Sequence, residues 1–383
     1  MNVCIAIDSF KGSLTSAEVG EAARLGLKRV YPKSSVSVAS LADGGEGTVE
    51  SVISAVGGKL VTTRVTGPLG KPINASYGVI PETKTAIIEI AAAAGLTLVP
   101  KSKRNPLYTT TFGVGELILH AIDGGCRKFI IGLGGSATND GGAGMLAALG
   151  VDLLDKRGVP IKQGAIGLYD LAEIRTHRLP RVLERCRFTV ASDVTNPLCG
   201  EMGCSEVFGP QKGAPKMTVA DMDRALKRYA AMTKKINPKA DSELAGAGAA
   251  GGLGYAFTAY LGAKIKSGVD TVTELIGLEE KIKAADIVIT GEGRIDGQTA
   301  MGKAPVGVAR LAKKHKKPVI AIAGAVGEDA SLCHDDGISA IFPILSAPTT
   351  LNEAMKSDVA KANVEKTVEQ IFKLIRASRA YFK

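Results

Sequence analysis

The chain of 383 residues contains no tryptophan, and its aromatic content is only 4%. Modules that bind RNA or single-stranded nucleic acid stack bases on aromatic rings, and this composition supplies few of them. No stretch approaches the ~20 consecutive apolar residues of a membrane-spanning helix. The apolar run at residues 1–7 reaches Asp8 well short of a secretory leader, so the expected compartment is the cytoplasm. Histidine is scarce: His120, His177, His315 and His334 stand apart and read as structural or surface residues. With no G-x-S-x-G elbow either, a Ser-His-Asp hydrolase has no sequence support. Cysteine is also thinly spread. Cys4, Cys126, Cys186, Cys199, Cys204 and Cys333 read as reduced and mostly buried, and no second pair or histidine cluster joins Cys199 and Cys204 in a zinc site.

Glycine is abundant instead: 46 of 383 residues, about 12% against a background of roughly 7%, gathered in clusters without a period. Loops that approach a ligand closely need such clusters. The net charge of +10 is not concentrated, and its densest run, residues 313–317, reads as the exposed end of a helix before Pro318. A mildly basic protein acting on small anions fits this pattern, with neither nucleic acid nor membrane as partner. Apolar content of 45% and charged content of 22% are ordinary for a globular protein, and at ~150 residues per domain the length suggests two domains.

Residues 3–7 form an unbroken apolar run, the pattern of a strand buried on both faces of a parallel sheet. After a polar loop, Thr15-Ser16-Ala17-Glu18 reads as a capping box that opens a helix. Strand-then-loop units recur at residues 36–41, 128–132, 188–191, 287–290 and 319–323, which implies α/β architecture with ligands at the strands' carboxyl ends. Residues 60–65, 73–79 and 85–90 break the rhythm as an antiparallel meander with Gly67-Pro68-Leu69-Gly70 at a turn. The expected fold is therefore α/β in two domains. A flavodoxin- or Rossmann-like parallel-sheet domain is built from residues 1–60 and 275–383. A second, mixed α/β domain, residues 61–274, is inserted into it and starts with the meander.

Two loops share the pattern D-G-G-x-G, Asp43-Gly44-Gly45-Glu46-Gly47 and Asp140-Gly141-Gly142-Ala143-Gly144, each before a predicted helix. Amides at a helix start attract phosphate, and the neighbouring Asp can hold a cation or a hydroxyl. The same residues can mark a plain tight turn, as Asp123-Gly124-Gly125 does; the repetition of the longer pattern favours ligand binding. Gly132-Leu133-Gly134-Gly135-Ser136-Ala137 imitates the dinucleotide fingerprint, which makes an NAD(P)-dependent oxidoreductase of a small hydroxy acid the alternative function. Against it, Thr138 to Gly142 prolong the loop where the fingerprint needs a helix.

Gly297 to Ala304 imitate a P-loop, but Ala304 replaces the magnesium-binding hydroxyl. Gly302 and Lys303, just before Pro305, still present a lysine and free amides suited to phosphate. Gly291-Glu292-Gly293-Arg294-Ile295-Asp296 sets two acids and an arginine beside the glycines at a strand's carboxyl end. Asp193 stands at the tip of another strand, where a catalytic carboxylate or an Asx-turn cap would sit, and Lys212 lies in the rigid loop Gly209-Pro210-Gln211-Lys212-Gly213. Residues 246–254 read equally as a flexible linker or as a close backbone approach.

In order along the chain, Asp8-Ser9-Phe10-Lys11-Gly12-Ser13, the first D-G-G-x-G loop, residues 132–144, 193–200 and 209–214, and Gly291 to Lys303 resemble the glycerate kinase type I family. The resemblance runs from residue 2 to about 345 and includes Gly-Gly-Ser-Ala-Thr-Asn-Asp-Gly-Gly-Ala-Gly and Gly-Glu-Gly-Arg-Ile-Asp-Gly-Gln-Thr. It implies a two-domain, ATP- and Mg2+-dependent kinase that phosphorylates D-glycerate, giving 2-phosphoglycerate rather than 3-phosphoglycerate. On that footing Asp193 is expected as the catalytic base. Gly134, Gly135, Ser136, Lys212, Gly302 and Lys303 are expected at the nucleotide, Asp8, Ser9, Lys11 and Arg294 at the substrate, and Asp43 and Asp296 at the metal. A non-catalytic nucleotide- or anion-binding protein is a further alternative.

Overall fold

The computed structural model describes residues 1–41, 45 and 47–381. They fall into two compact units, Met1–Asp43 with Val269–Lys383, and Gly44–Gly268 between them in sequence. The first crossing comes before residue 60, where the β-rich stretch begins, because the helix Thr48–Val56 belongs with the second unit's sheet. Its Ile53 and Val49 lie against Gly78, and the Val49 amide donates to Glu89 Oε1 at 2.8 Å. Among the described residues no helix is long and apolar enough to cross a membrane. All six cysteines are free thiols, and all but Cys186 are buried.

The first unit is a five-stranded sheet in the order Ala340–Pro343, Val319–Val326, Ile287–Ile295, Asn2–Ile7, Ser35–Ser40, with every pairing parallel. Its apolar strands bury Ile5, Ile7, Ile289 and Ile322 against Val19 and Leu27 of one helix and Val364 and Phe372 of another. The helix Ser16–Val30 starts at the expected capping box: Thr15 accepts from the Glu18 amide, and Glu18 from the Thr15 amide. Gly26 lets that helix close onto the helix Ser357–Tyr381, since a Cβ there would strike the Glu365 carbonyl. From Asn2–Ile7 the chain first adds a strand on one side and later three on the other. The order of strands thus reverses between Asn2–Ile7 and Ile287–Ile295, the place where open α/β sheets leave a crevice for ligands.

The second unit has a six-stranded mixed sheet in the order Lys264–Lys266, Arg187–Ala191, Lys128–Gly132, Thr85–Glu89, Pro72–Ile80, Lys59–Thr66. The first four are parallel, and the last two pair antiparallel as the expected meander. Phe129, Val190, Leu117 and Phe257 are among its core residues. The glycine-rich stretch near residue 250 is the close backbone approach rather than the flexible linker. Ala250, Gly251 and Gly252 are left-handed, with φ of 53°, 68° and 94°, at the start of the helix Ala249–Leu261. The Gly141 amide donates to the Gly251 carbonyl at 2.9 Å, and a Cβ on Gly251 would run into the Thr138 carbonyl. Both the left-handed φ and the packed carbonyl demand glycine. Gly251→Ala is therefore expected to cost at least about 2 kcal/mol, whereas Ala250→Gly, which relieves a strained φ, should change stability by less than about 1 kcal/mol. Urea unfolding of the two variants checks this, and a Gly251→Ala midpoint equal to the parent's would refute it.

Candidate functional site

At the strand-order reversal of the first unit, the segment after Asn2–Ile7 meets the carboxyl end of Ile287–Ile295. The Asp8 amide donates to the Gly291 carbonyl at 2.9 Å, and Gly293 lies flat against the backbone of Phe10 and Lys11. Asp8 is buried, its Oδ1 accepts from the Ser9 amide at 2.6 Å, and Lys11 is exposed. The sequence places the glycine-acid motif just past a strand. In the structure the strand itself continues through it, because Glu292, Arg294 and Ile295 stand in register with Ala323, Ala325 and Val326 of the neighbouring strand.

That continuation turns Glu292 inward. Only 9% exposed, it accepts from Thr299 Oγ1 at 2.7 Å and lies 4.0 Å from the Lys303 ammonium. Burial pushes its carboxyl above the usual carboxylate range; the Thr299 hydrogen bond and Lys303 oppose the rise, and the charges of Asp8 and Asp296 add to it. Asp296 caps the short helix Gly297–Ala300: its Oδ1 accepts from the Gln298 amide at 3.0 Å and its Oδ2 from Arg294 Nε at 3.1 Å. Lys303, as expected, precedes the helix Ala304–Lys314, with Pro in its first turn. Neither Glu292 nor Thr299 was singled out from sequence, although both lie inside the quoted motif; only the strand register shows which acid turns inward.

In the second unit the loop after Lys128–Gly132 carries Gly134, half-buried, and Gly135, exposed with φ of 71°. Ser136 is 8% exposed, and Thr138, Asn139 and Asp140 are wholly buried. The helix after this loop begins only at Ala143, so residues 132–137 lack the helix start that a dinucleotide pyrophosphate needs. Asp140 accepts from the Thr111 amide and hydroxyl at 3.0 and 2.8 Å and from the Gly142 and Gly144 amides at 3.1 and 3.2 Å. Its carboxylate thus holds loop backbone. Lys212 is 4% exposed, and its Nζ donates to Ser136 Oγ at 2.8 Å and the Thr138 carbonyl at 2.7 Å. Asp193 is exposed at its strand tip, and its Oδ1 accepts from the Gly268 amide at 3.1 Å.

The structure thus groups Asp8, Ser9, Lys11, Arg294, Asp296 and Lys303 at the first sheet's carboxyl end, and Ser136 with Lys212 in the second unit. Asp43 lies outside the described residues. Among the described residues no group of three or more His, Cys, Asp or Glu side chains could hold a metal ion.

The fold and these loops define an α/β protein that gathers acids, cations and glycine amides at the carboxyl ends of parallel strands. A family model described as the glycerate kinase family matches residues 3–376. The chain is 49% identical over 356 residues to the Glycerate 2-kinase of Escherichia coli (strain K12), covering 93% of each chain. It is 46% identical over 382 residues to the Glycerate kinase of Bacillus subtilis (strain 168), covering 100% of both. A crystal structure of a protein from Salmonella typhimurium LT2 matches with a TM-score of 0.90 and 46% identity over 99% of each chain. The chain belongs to the glycerate kinase family and is an enzyme.

Because burial raises the Glu292 carboxyl, the folded state disfavours its ionised form, and stability falls as pH rises from about 4, the ordinary carboxylate range, through the raised value. Glu292→Gln keeps an acceptor for Thr299 and removes that cost, while the partly exposed Lys303 stays hydrated. The variant is expected to melt at a higher temperature than the parent at neutral pH, with the gain shrinking towards pH of about 4. Melting curves across that range check it; a lower melting temperature at neutral pH would show that the Glu292–Lys303 attraction outweighs burial.

Proposed function

We propose that the chain transfers the γ-phosphoryl group of ATP to the 2-hydroxyl of D-glycerate, releasing ADP and 2-phosphoglycerate. The observation that carries this reading is the match along nearly the whole chain to glycerate kinases, among them one described as a 2-kinase. The chemistry of the loops supports it. Phosphoryl transfer asks a protein for positioning and for charge around the phosphates, with little covalent work.

On the first unit, Lys303 and the Gly302 amide offer a cation and a donor to phosphate, while Lys11 and Arg294 are cations for the glycerate carboxylate, beside Asp8 and Ser9. On the second, exposed Gly135 and half-buried Gly134 offer their amides to the nucleotide, with buried Ser136 and Lys212 next to them. Asp193, exposed at a strand tip, is the candidate to receive the hydroxyl proton. Magnesium commonly rides on the triphosphate and takes only one or two protein carboxylates, so a single acid such as Asp296 suits an ion carried in with ATP. Asp296 and Asp43 are the proposed carboxylates. When bound, the ion neutralises charge on the phosphate oxygens. Asp296 would have to share the carboxylate that now caps its helix.

A coupled assay for ADP release over a panel of small hydroxy acids tests the reading, and 31P NMR of the product separates the 2-phosphate from the 3-phosphate. Glycerate-dependent ADP with the 2-phosphate as product is expected; no response to glycerate would sink the proposal. Asp193→Asn should lower turnover by about 10²–10⁴-fold if Asp193 takes the proton. Unchanged turnover would leave Asp193 a structural role, such as holding the Gly268 amide.

A further inference from the structure

A lysine that serves a ligand directly normally keeps its ammonium at the surface and buries only its stem. Lys212 does the opposite. Its ammonium is turned into the second unit, 4% exposed, and two of its three donors are spent on the protein, at Ser136 Oγ and the Thr138 carbonyl. Both acceptors belong to the loop whose next two residues towards the amino terminus are Gly135, exposed, and Gly134, half-buried. The pocket around it is short of hydrogen bonds: the Thr138 hydroxyl and Asn139 Oδ1 are buried without partners. Removing the ammonium would strand the Ser136 and Thr138 oxygens as well, and buried unpaired polar atoms drive rearrangement.

We propose that Lys212 is a positioning residue: from beneath, its ammonium fixes residues 134–138 in the shape that receives the nucleotide phosphates, without touching the ligand. The proposal rests on the kinase reading for the identity of the ligand, and on the hydrogen bonds alone for the loop. The backbone around the loop is tied elsewhere, by the Leu96 amide to the Gly135 carbonyl and the Ala137 amide to the Ala94 carbonyl, both at 2.8 Å. The Ser136 side chain is oriented by Lys212.

The same burial makes the device sensitive to pH. Desolvation lowers Lys212 from the ordinary 10.5 to about 8, against the attraction of Asp140. The Cys204 thiol is itself pushed up to about 12 by burial, so it stays neutral where Lys212 titrates. Asp140 is held by four donors from Thr111, Gly142 and Gly144, and Asp223 by Lys227 and the Gly200 amide. Near pH 8 the Lys212 ammonium gives up its proton: the neutral amine keeps two donors, but its bonds to Ser136 and Thr138 lose their charge assistance, and the loop is held less firmly.

Two readouts test the proposal on the full-length protein. Hydrogen–deuterium exchange of residues 133–142 needs no turnover: Lys212→Met should quicken exchange there and leave the first unit's sheet unchanged. In steady-state assays the same variant should raise the KM for ATP by about 10- to 100-fold, with a smaller effect on the KM for glycerate. The parent's kcat/KM for ATP should fall above pH 8 and this limb should vanish in Lys212→Arg, which stays charged. Should Lys212→Met fail to fold, Ser136→Ala removes a single acceptor, and its alkaline limb should move to lower pH because the charged form has lost a hydrogen bond. Unchanged exchange in Lys212→Met, or an alkaline limb identical in parent, Lys212→Arg and Ser136→Ala, overturns the positioning role. Quickened exchange in a protein that never releases ADP with glycerate would uphold the loop's dependence on Lys212 and retire the kinase reading instead.

Discussion

The carboxylate of Asp140 has no solvent around it, so it must be met by donors or become neutral. It is met four times, by the amide and hydroxyl of Thr111 and the amides of Gly142 and Gly144. Burial still pushes the carboxyl up, and those hydrogen bonds pull it back. Thr111 immediately precedes the helix Phe112–Asp123, and Gly142 precedes the helix Ala143–Ala148. One side chain therefore fastens the starts of two helices to the end of a loop. The Thr111 hydroxyl extends the arrangement by accepting from the Met145 amide at 2.9 Å. Everything that loop presents, from Gly134 to Asn139, depends on its far end being held in this way.

Against that anchor the glycines become specific. Gly142 is left-handed, with φ of 76°, and a Cβ on it would strike Ala256. A Cβ on Gly252 would meet Gly141 Cα at 2.8 Å. These residues let two backbone segments touch, and the contact stiffens a stretch that carries few apolar side chains of its own. Glycine richness here is a packing device, and its consequence is an ordered loop.

Much of this was legible in the sequence. Unbroken apolar runs marked the parallel strands, Thr15 and Glu18 marked a helix start, and Gly67-Pro68-Leu69-Gly70 marked the meander's first turn. Loop residues that chemistry would need, such as Lys303 before a proline-led helix, were recognisable because their local geometry is set by neighbours in sequence. What escaped depends on partners far along the chain. Glu292 turns inward because its strand continues beside Val319–Val326, and Lys212 turns inward because Ser136 and Thr138, more than 70 residues away, offer oxygens. The helix Thr48–Val56 joins the second unit through Glu89 and Gly78, which no local pattern announces.

Glu292 and Lys212 are displaced in opposite directions by the same cause, burial of the charged form. For Lys212 the thermodynamic sign opposes the functional one. Its folded value of about 8 lies below the ordinary 10.5 of the unfolded chain, so between those limits the unfolded state binds the extra proton and stability rises with pH. Over that interval the bonds that orient Ser136 lose their charge assistance. The fold thus carries a buried charge at a standing cost below pH 8 and is relieved of it only where the hold of Lys212 on the loop weakens. A residue kept for packing alone would show no such opposition, because an apolar side chain of similar length would fill the space without the penalty. That opposition is the physical reason we propose Lys212 as a residue that serves the site rather than the core.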